Sequence, residues 1–154
     1  MAFVEKVTII KKYKLLLKND VTSFLVSFRR KYNVFPIKLL NELSKNSSYS
    51  NIKKLLVNGV SIEPNVLAKD VNNKYKGLKK KINPSYFNPT LKSFTKDALK
   101  CKDESEIKVI YKNYSDELKR LFKDMNDELS YCVESLKAIN IALKSNKRKE
   151  NDDE

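Results

Sequence analysis

The sequence lacks histidine and tryptophan altogether, and its 154 residues include only two glycines. Without histidine, the chain has no residue of the type that most often serves as a general base or as a metal ligand. Two glycines are too few for the phosphate-binding loops of nucleotide-dependent enzymes, and neither G-x-x-x-x-G-K nor G-x-G-x-x-G occurs. We therefore expect a protein that is not an enzyme and that uses no metal and no other cofactor.

Cysteines and long apolar runs are also scarce. Cys101 and Cys132 are the two cysteines and form no C-x-x-C motif, so we expect neither a zinc site nor a disulfide. We expect the protein to reside in a reducing compartment. No stretch approaches the roughly 18 uninterrupted apolar residues of a membrane span. Charged residues interrupt the N-terminal apolar residues too early for a secretory signal. These absences predict an intracellular protein, nuclear or cytoplasmic.

The shortage of glycine and proline favours helices. Two glycines and four prolines leave few of the tight turns that a β-sandwich or barrel needs, while 41% hydrophobic residues argue against wholesale disorder. We expect an all-α protein of six or seven helices. We divide it into a basic helical domain over residues 1–100, a long amphipathic helix or helical hairpin over 101–144, and a disordered charged tail over 145–154.

Positive charge is abundant and unevenly distributed. Residues 1–100 contain 21 Lys and Arg against 6 Asp and Glu, whereas residues 101–154 contain 11 against 13. This asymmetry predicts a partner with dense negative charge that meets the first hundred residues. An AT-rich genome, such as that of some viruses, would also enrich the 28 Lys and 16 Asn, but codon bias should act on both parts of the chain.

The N-terminal third is compatible with more than one reading. Residues 3–18 fit both the alternation of a strand and the periodicity of a helix, and we favour the helix. Asn19 and Asp20 are good N-caps and predict that a second helix begins there. Its apolar positions recur at helical spacing: Val21, Phe24, Leu25, Phe28 and Tyr32.

Four further helices are predicted between residues 36 and 100. A short one should begin at Pro36, and another should cover Asn51–Asn58 and end at Gly59 as its left-handed stop. Pro64 should begin the next helix, in which Gly77 is a weak point. After the loop from Asn83 to Pro89, residues 90–100 form the last of the four.

A heptad-like seam of apolar residues characterises the C-terminal part. Asp103 and Glu106 form a capping-box pattern at its start. The seam residues that we single out are Leu118, Leu121, Met125, Leu129 and Leu136. The pattern fits a long helix packed on its own domain, a hairpin that breaks near Asn126, or a coiled-coil homodimer. Cys132 on this seam reads as a small core residue.

The strongest candidate for nucleic-acid binding is a run of lysines on the helix after Pro64. Its members are Lys69, Lys74, Lys76, Lys79, Lys80 and Lys81. Asp70 is their one local counter-charge, although an ordinary solvated face would look similar. Because lysines are point charges without the bidentate geometry of arginine, we expect contacts to the phosphate backbone more than to bases.

Two smaller patterns add to this hypothesis. Arg29, Arg30 and Lys31 end a predicted helix, where they could bind phosphate or simply complement the helix dipole. Tyr86 and Phe87 lie between two prolines and could stack on exposed bases or be buried in the core.

Residues 39–75 resemble the BEN domain, a helical DNA-binding or protein-binding module. The shared features are paired leucines (Leu39, Leu40), Gly59 and the acidic-Pro step Glu63–Pro64. Because the resemblance covers about a quarter of the chain and lacks most of the family's pattern, it implies no residue roles.

From these patterns we expect a non-enzymatic protein that binds nucleic acid, with DNA favoured. The alternative is a helical adaptor or structural protein, such as a virion or scaffold component, that works through the C-terminal seam. An anionic membrane surface is a third partner class, which the lack of a large apolar-aromatic face on the basic helices disfavours. We expect no small-molecule substrate.

Overall fold

Helices account for most of the chain that the structure describes. This computed structural model describes residues 1–38, 55–57, 60–62 and 64–152, with side chains described within 1–38 and 66–141. The helices are α1 (Phe3–Val34), α2 (Pro64–Lys81), α3 (Asn88–Leu99) and α4 (Glu104–Asp152), and a 3-10 helix (Pro84–Phe87) precedes α3. The predicted all-α class is confirmed. The predicted count of six or seven helices is wrong, because the described residues form four α-helices.

Helix α1 is one continuous helix of 32 residues, not two. Its buried residues recur every three or four positions from end to end: Ile10, Tyr13, Leu17, Val21, Leu25, Phe28 and Tyr32. The predicted break at Asn19 and Asp20 is wrong, because the helix passes both residues without interruption. Their polar side chains are exposed, and the segment contains no glycine or proline to interrupt the hydrogen-bonded turns. The helix predicted over residues 3–18 is confirmed. Leu15, which the alternation of a strand would have buried, is exposed.

A short hairpin replaces part of a predicted helix. Strands β1 (Leu55–Val57) and β2 (Val60–Ile62) pair antiparallel, with Val57 opposite Val60. The helix predicted over Asn51–Asn58 is therefore wrong at residues 55–57. β-Branched residues favour strands, and the sequence Asn58–Gly59 between the strands is a dipeptide strongly preferred in two-residue hairpin connections. Ile37 and Lys38 are helical, in agreement with the helix predicted to begin at Pro36, and the residues that directly follow them lie outside the described part of the chain.

Helix α2 begins at Pro64, as predicted, and continues through Gly77 to Lys81. Proline suits the first turn of a helix, where its missing N–H would have no helical partner. The segment predicted as a loop from Asn83 to Pro89 is shorter than predicted: it contains the 3-10 helix, and α3 begins at Asn88, two residues before the predicted start.

Helix α4 is a single helix of 49 residues. Asp103 begins it as predicted: its carboxylate accepts hydrogen bonds from the Glu106 N–H (3.0 Å) and from the Ser105 hydroxyl (2.6 Å). The hairpin alternative is wrong, because the helix passes Asn126 without a break. It also continues past Ser145, where we predicted a disordered tail, since no glycine or proline follows Asp103.

The chain forms two compact units, each built from two separate segments. Unit 1 contains Met1–Asn33 and Lys79–Asn126, and unit 2 contains Val34–Leu78 and Asp127–Glu154. These units cut across the boundary that we placed at residue 100. The largest fully buried side chains of unit 1 are Leu17, Leu25, Phe28, Phe87, Phe94, Ile107, Leu118 and Met125, and those of unit 2 are Leu67, Leu78 and Ile139.

The C-terminal seam is internal packing. Leu118, Met125, Leu129 and Leu136 are buried within the single chain, and Leu121 is half-buried. Of the three readings of the seam, the long helix packed on its own chain therefore fits. The coiled-coil homodimer and the adaptor role of the seam stay predictions. Among the described residues, no helix combines the length and the apolar character needed to cross a membrane.

Candidate nucleic-acid interface

Nearly all of the excess positive charge belongs to unit 1. The sequence segments of unit 1 contain 20 Lys and Arg against 9 Asp and Glu, a net charge of +11. Those of unit 2 contain 12 against 10, a net charge of +2. The two values account for the +13 of the whole chain. Unit 1 is therefore the part of the protein on which an anionic partner would exert the stronger attraction.

An exposed row of cations follows one face of α1. Lys11, Lys18 and Arg29 are exposed and stand 7 and 11 residues apart, intervals close to two and three full turns. They lie in line over about 27 Å of helix at 1.5 Å per residue. The acidic residues of α1, Glu5 and Asp20, project from other sides of the helix. We call Lys11, Lys18 and Arg29 the α1 stripe.

The α1 stripe ends beside the C-terminus of α2. The Arg29 guanidinium donates a hydrogen bond to the main-chain carbonyl of Ile82 (3.3 Å), the residue that follows α2. The sequence suggested two separate basic groups, Arg29–Lys31 and Lys79–Lys81, and this bond brings their helix ends together within unit 1. Three consecutive helical residues point about 100° apart, so the members of each group fan out and do not form one flat patch.

The aromatic pair after α2 divides into one exposed and one buried ring. Phe87 is fully buried, and its ring meets Phe122 edge to face at 5.6 Å. Tyr86 keeps 37% of its surface exposed, and the Lys81 ammonium lies 6.0 Å from the centre of its ring. Burial removes Phe87 from the predicted set of nucleic-acid contacts, because a base cannot reach it. Tyr86 stays in that set.

The remaining lysines of α2 belong to unit 2. Lys69 and Lys76 are exposed, as a phosphate-binding role requires. Lys74 instead places its ammonium 4.3 Å from the centre of the Tyr131 ring, a cation–π distance. The Tyr131 hydroxyl donates a hydrogen bond to Asp70 (2.7 Å), and burial first, then this bond, raises the pKa of Tyr131. Lys74 therefore has a structural contact, and the phosphate-binding role of Lys69 and Lys76 stays a prediction.

Arg30, Lys31, Lys79 and Lys80 are exposed, and none of them forms a salt bridge within the described part of the chain. They sit in or near the last turns of α1 and α2, where cations complement the helix dipole. This role alone could explain their placement.

Groups suited to catalysis or to metal binding are sparse in the described ranges. Asp, Glu and Cys do not gather there in any group of three or more that could hold a metal ion. Both cysteines are buried, and burial raises the pKa of Cys132 to about 11. In unit 1 the Tyr114 hydroxyl donates a hydrogen bond to the Asp97 carboxylate, which is the main cause that raises the pKa of Tyr114 to about 12.

Lys11 and Lys18 are the candidate residues that sequence reasoning missed. We had divided α1 at Asn19 and Asp20, and the division separates Lys11 and Lys18 from Arg29. Treated as one helix with a period of 3.6, residues 3–34 place these three cations on a common face. The signal was present in the spacing, but it required the correct length of the helix.

The chain matches no protein-family model, no curated protein and no solved structure.

Proposed function

We propose that the protein binds nucleic acid, with DNA as the expected form, through phosphate contacts made by the α1 stripe and by the basic ends of α1 and α2 beside it in unit 1. The observation that supports this proposal most is the exposed α1 stripe, which ends where α1 and α2 bring their basic groups together. No catalysis is part of the proposal.

Phosphate contact suits this arrangement better than base reading does. Two of the three stripe residues are lysines, whose ammonium groups attract phosphates without the bidentate geometry that distinguishes bases. Arg29 already uses part of its guanidinium on the Ile82 carbonyl, so it also fixes the relative position of the two helix ends. Affinity should then depend little on sequence and fall steeply as salt concentration rises.

Codon bias explains this charge distribution less well than binding does. A genome-wide preference for lysine would raise the net charge of both units, yet unit 2 nearly balances its cations with acids. The difference of +11 against +2 favours a role for the cations of unit 1.

An anionic membrane is the main competitor for the same face. Val4, Leu15 and Val26 are exposed alongside the α1 stripe, while Phe3, Leu16 and Val34 are exposed on other sides of α1. The first three stand 11 residues apart, so consecutive members are separated by about 16 Å of helix and form no continuous apolar surface. Helices that lie in a lipid interface bury such a surface. The spacing therefore favours nucleic acid over lipid.

Three matched double variants test the proposal, because three exposed lysine pairs have the same spacing of seven residues. The pairs are Lys11 and Lys18 on α1, Lys69 and Lys76 on α2, and Lys112 and Lys119 on α4. Each pair is changed to glutamine, and binding to a labelled duplex is measured by fluorescence anisotropy over a series of NaCl concentrations. The third pair is the control, because Asp116 lies between its lysines and both face away from the buried side of α4.

We expect the Lys11→Gln, Lys18→Gln variant to bind more weakly and to lower the slope of log K against log salt by about 1.8, or 0.9 per lost phosphate contact. The control pair should leave the slope unchanged. A loss with the α2 pair would add Lys69 and Lys76 to the interface. Equal losses of affinity for all three variants would show that no specific face of the protein binds the duplex and would refute the proposed interface. Binding to anionic vesicles but not to DNA would overturn the proposal.

A further inference from the structure

Tyr86 is held in a fixed position by the backbone around it. The Asn83 side chain accepts a hydrogen bond from the Ser85 N–H (3.1 Å), and the Asn83 carbonyl accepts one from the Tyr86 N–H (2.9 Å). The Asn88 N–H closes the 3-10 turn on the Ser85 carbonyl. Pro84 restricts the turn further, because its ring fixes φ. Because this backbone is already constrained, the turn loses little backbone freedom when Tyr86 binds a ligand.

The ring of Tyr86 is supported from inside by a series of aromatic contacts within unit 1. Its ring is nearly perpendicular to that of the buried Phe87 (84°, 5.1 Å), so Phe87 does not stack face to face on it. Phe87 meets Phe122, and Phe122 stacks on Phe24 at 4.2 Å. Tyr86 is thus the outermost member of a packed aromatic group, and 37% of the residue's surface is exposed to solvent.

Positive charge adjoins this ring. The Lys81 ammonium is 6.0 Å from the ring centre, and Arg29 of the α1 stripe binds the carbonyl of the next residue, Ile82. A nucleotide whose base stacks on Tyr86 would therefore have its phosphates close to cations of α1 and α2. Single-strand binding proteins combine the same two elements, aromatic faces for bases and a basic track for the backbone.

We propose that Tyr86 is a stacking site for an unpaired base, so that the interface selects single-stranded segments over duplex. This inference rests on the proposed function, because the stripe supplies the phosphate contacts. Bases within a duplex are already stacked on their neighbours and cannot reach the ring, whereas unpaired bases can. Duplex DNA would use the stripe alone.

The test compares a single strand of about 20 nucleotides with the matching duplex, a length on which the α1 stripe can meet several phosphates. Binding of the wild type, Tyr86→Ala and Tyr86→Phe is measured by anisotropy at one salt concentration. Phenylalanine keeps the ring and removes only the hydroxyl, so it is the matched control. A strand that carries 2-aminopurine adds a direct report on stacking, because its fluorescence is quenched when the base stacks.

We expect Tyr86→Ala to weaken binding of the single strand by about 5- to 150-fold, the range for one lost stacked base, and to leave duplex binding within twofold. Tyr86→Phe should bind both ligands as the wild type does, with 2-aminopurine quenching retained. Equal losses on both ligands, or no loss on the single strand, would overturn the stacking site while the proposed function stands. If the wild type binds neither ligand, both proposals fail. Thermal unfolding of each variant checks that it is folded.

Discussion

At the scale of single residues, Tyr114 and Asp97 form a polar contact inside a largely apolar unit. The Tyr114 ring meets the buried Phe94 edge to face at 5.9 Å, while its hydroxyl donates to the Asp97 carboxylate. A hydrogen bond to a charged acceptor that is partly shielded from water contributes more to stability than one between neutral groups. The bond ties α3 to α4, because Asp97 lies on the first helix and Tyr114 on the second.

Replacement of Tyr114 by phenylalanine should lower the free energy of unfolding by about 1–2 kcal/mol at neutral pH, measured by urea denaturation. Because folding raises the pKa of Tyr114 from 10.0 to about 12, the stabilisation is complete below pH 10.0 and is lost as the pH rises through about 12. The difference between wild type and variant should therefore begin to shrink above pH 10.0.

Tyr86→Phe serves as the control in this series, since the Tyr86 hydroxyl makes no hydrogen bond to any described residue. Its stability should equal that of the wild type at neutral pH. A difference for Tyr114→Phe that stays constant from neutral pH up to about 12 would contradict the role assigned to the hydroxyl.

At the scale of elements, Gly77 is the one glycine of α2 and has open space around it. A Cβ placed on Gly77 would meet nothing within 4 Å outside its own helix. Glycine costs a helix interior conformational entropy that alanine does not. Gly77 therefore lowers the stability of α2, and no neighbouring atom requires a glycine at this position.

We expect Gly77→Ala to raise the free energy of unfolding by about 0.5–1 kcal/mol, because alanine restricts the unfolded chain at no steric cost in the helix. Urea denaturation of the variant and of Lys76→Ala gives the comparison. Lysine and alanine have similar helix propensities, so the exposed control on the same turn should change stability by less than about 0.5 kcal/mol. A destabilised Gly77→Ala variant would show that the backbone at this position is not regular helix.

Much of the helical content could be predicted from periodicity, and the errors have specific physical causes. The apolar face of α4 and the cap at Asp103 were visible in the spacing of residues alone. The break predicted in α1 rested on the capping preference of Asn19 and Asp20, but burial of residues on both sides of them outweighs that local preference. At residues 55–57 we interpreted Gly59 as the left-handed stop of a helix, whereas Asn58–Gly59 is also a strong hairpin signal.

The candidate site could be predicted only in part. The basic groups and Tyr86 were recognisable by residue type, but no local pattern indicates that Arg29 binds the carbonyl of Ile82, 53 residues away. Equally, nothing in the sequence separates the exposed Tyr86 from the buried Phe87 beside it. Both facts depend on tertiary packing, which brings distant segments of unit 1 together.

At the scale of the whole molecule, the concentration of charge in unit 1 has a cost in stability. This compact unit contains twenty cations against nine acids, so the excess positive charges repel one another. Added salt screens this repulsion, since the screening length falls to about 8 Å at physiological ionic strength. A polyanion bound to the α1 stripe would relieve the same repulsion.

We therefore expect the urea midpoint to rise when NaCl is increased from about 20 mM to about 300 mM. The Lys11→Gln, Lys18→Gln variant should be more stable than the wild type at the low salt concentration, and the gain should disappear at the high one. The Lys112→Gln, Lys119→Gln control should show no such gain, because those lysines have Asp116 between them. A midpoint that falls with salt would mean that attraction, not repulsion, dominates the charges of unit 1.

The two buried cysteines have a practical consequence for labelling chemistry. Burial is the main cause that raises the pKa of both thiols, that of Cys132 to about 11, so both remain protonated and react slowly with maleimides at neutral pH. A thiol introduced by Ser85→Cys, on the exposed surface next to Tyr86, would accept a fluorophore selectively while both native cysteines stay in place. A fluorophore can therefore be attached at the turn where we expect the ligand to bind, without removal of the native cysteines.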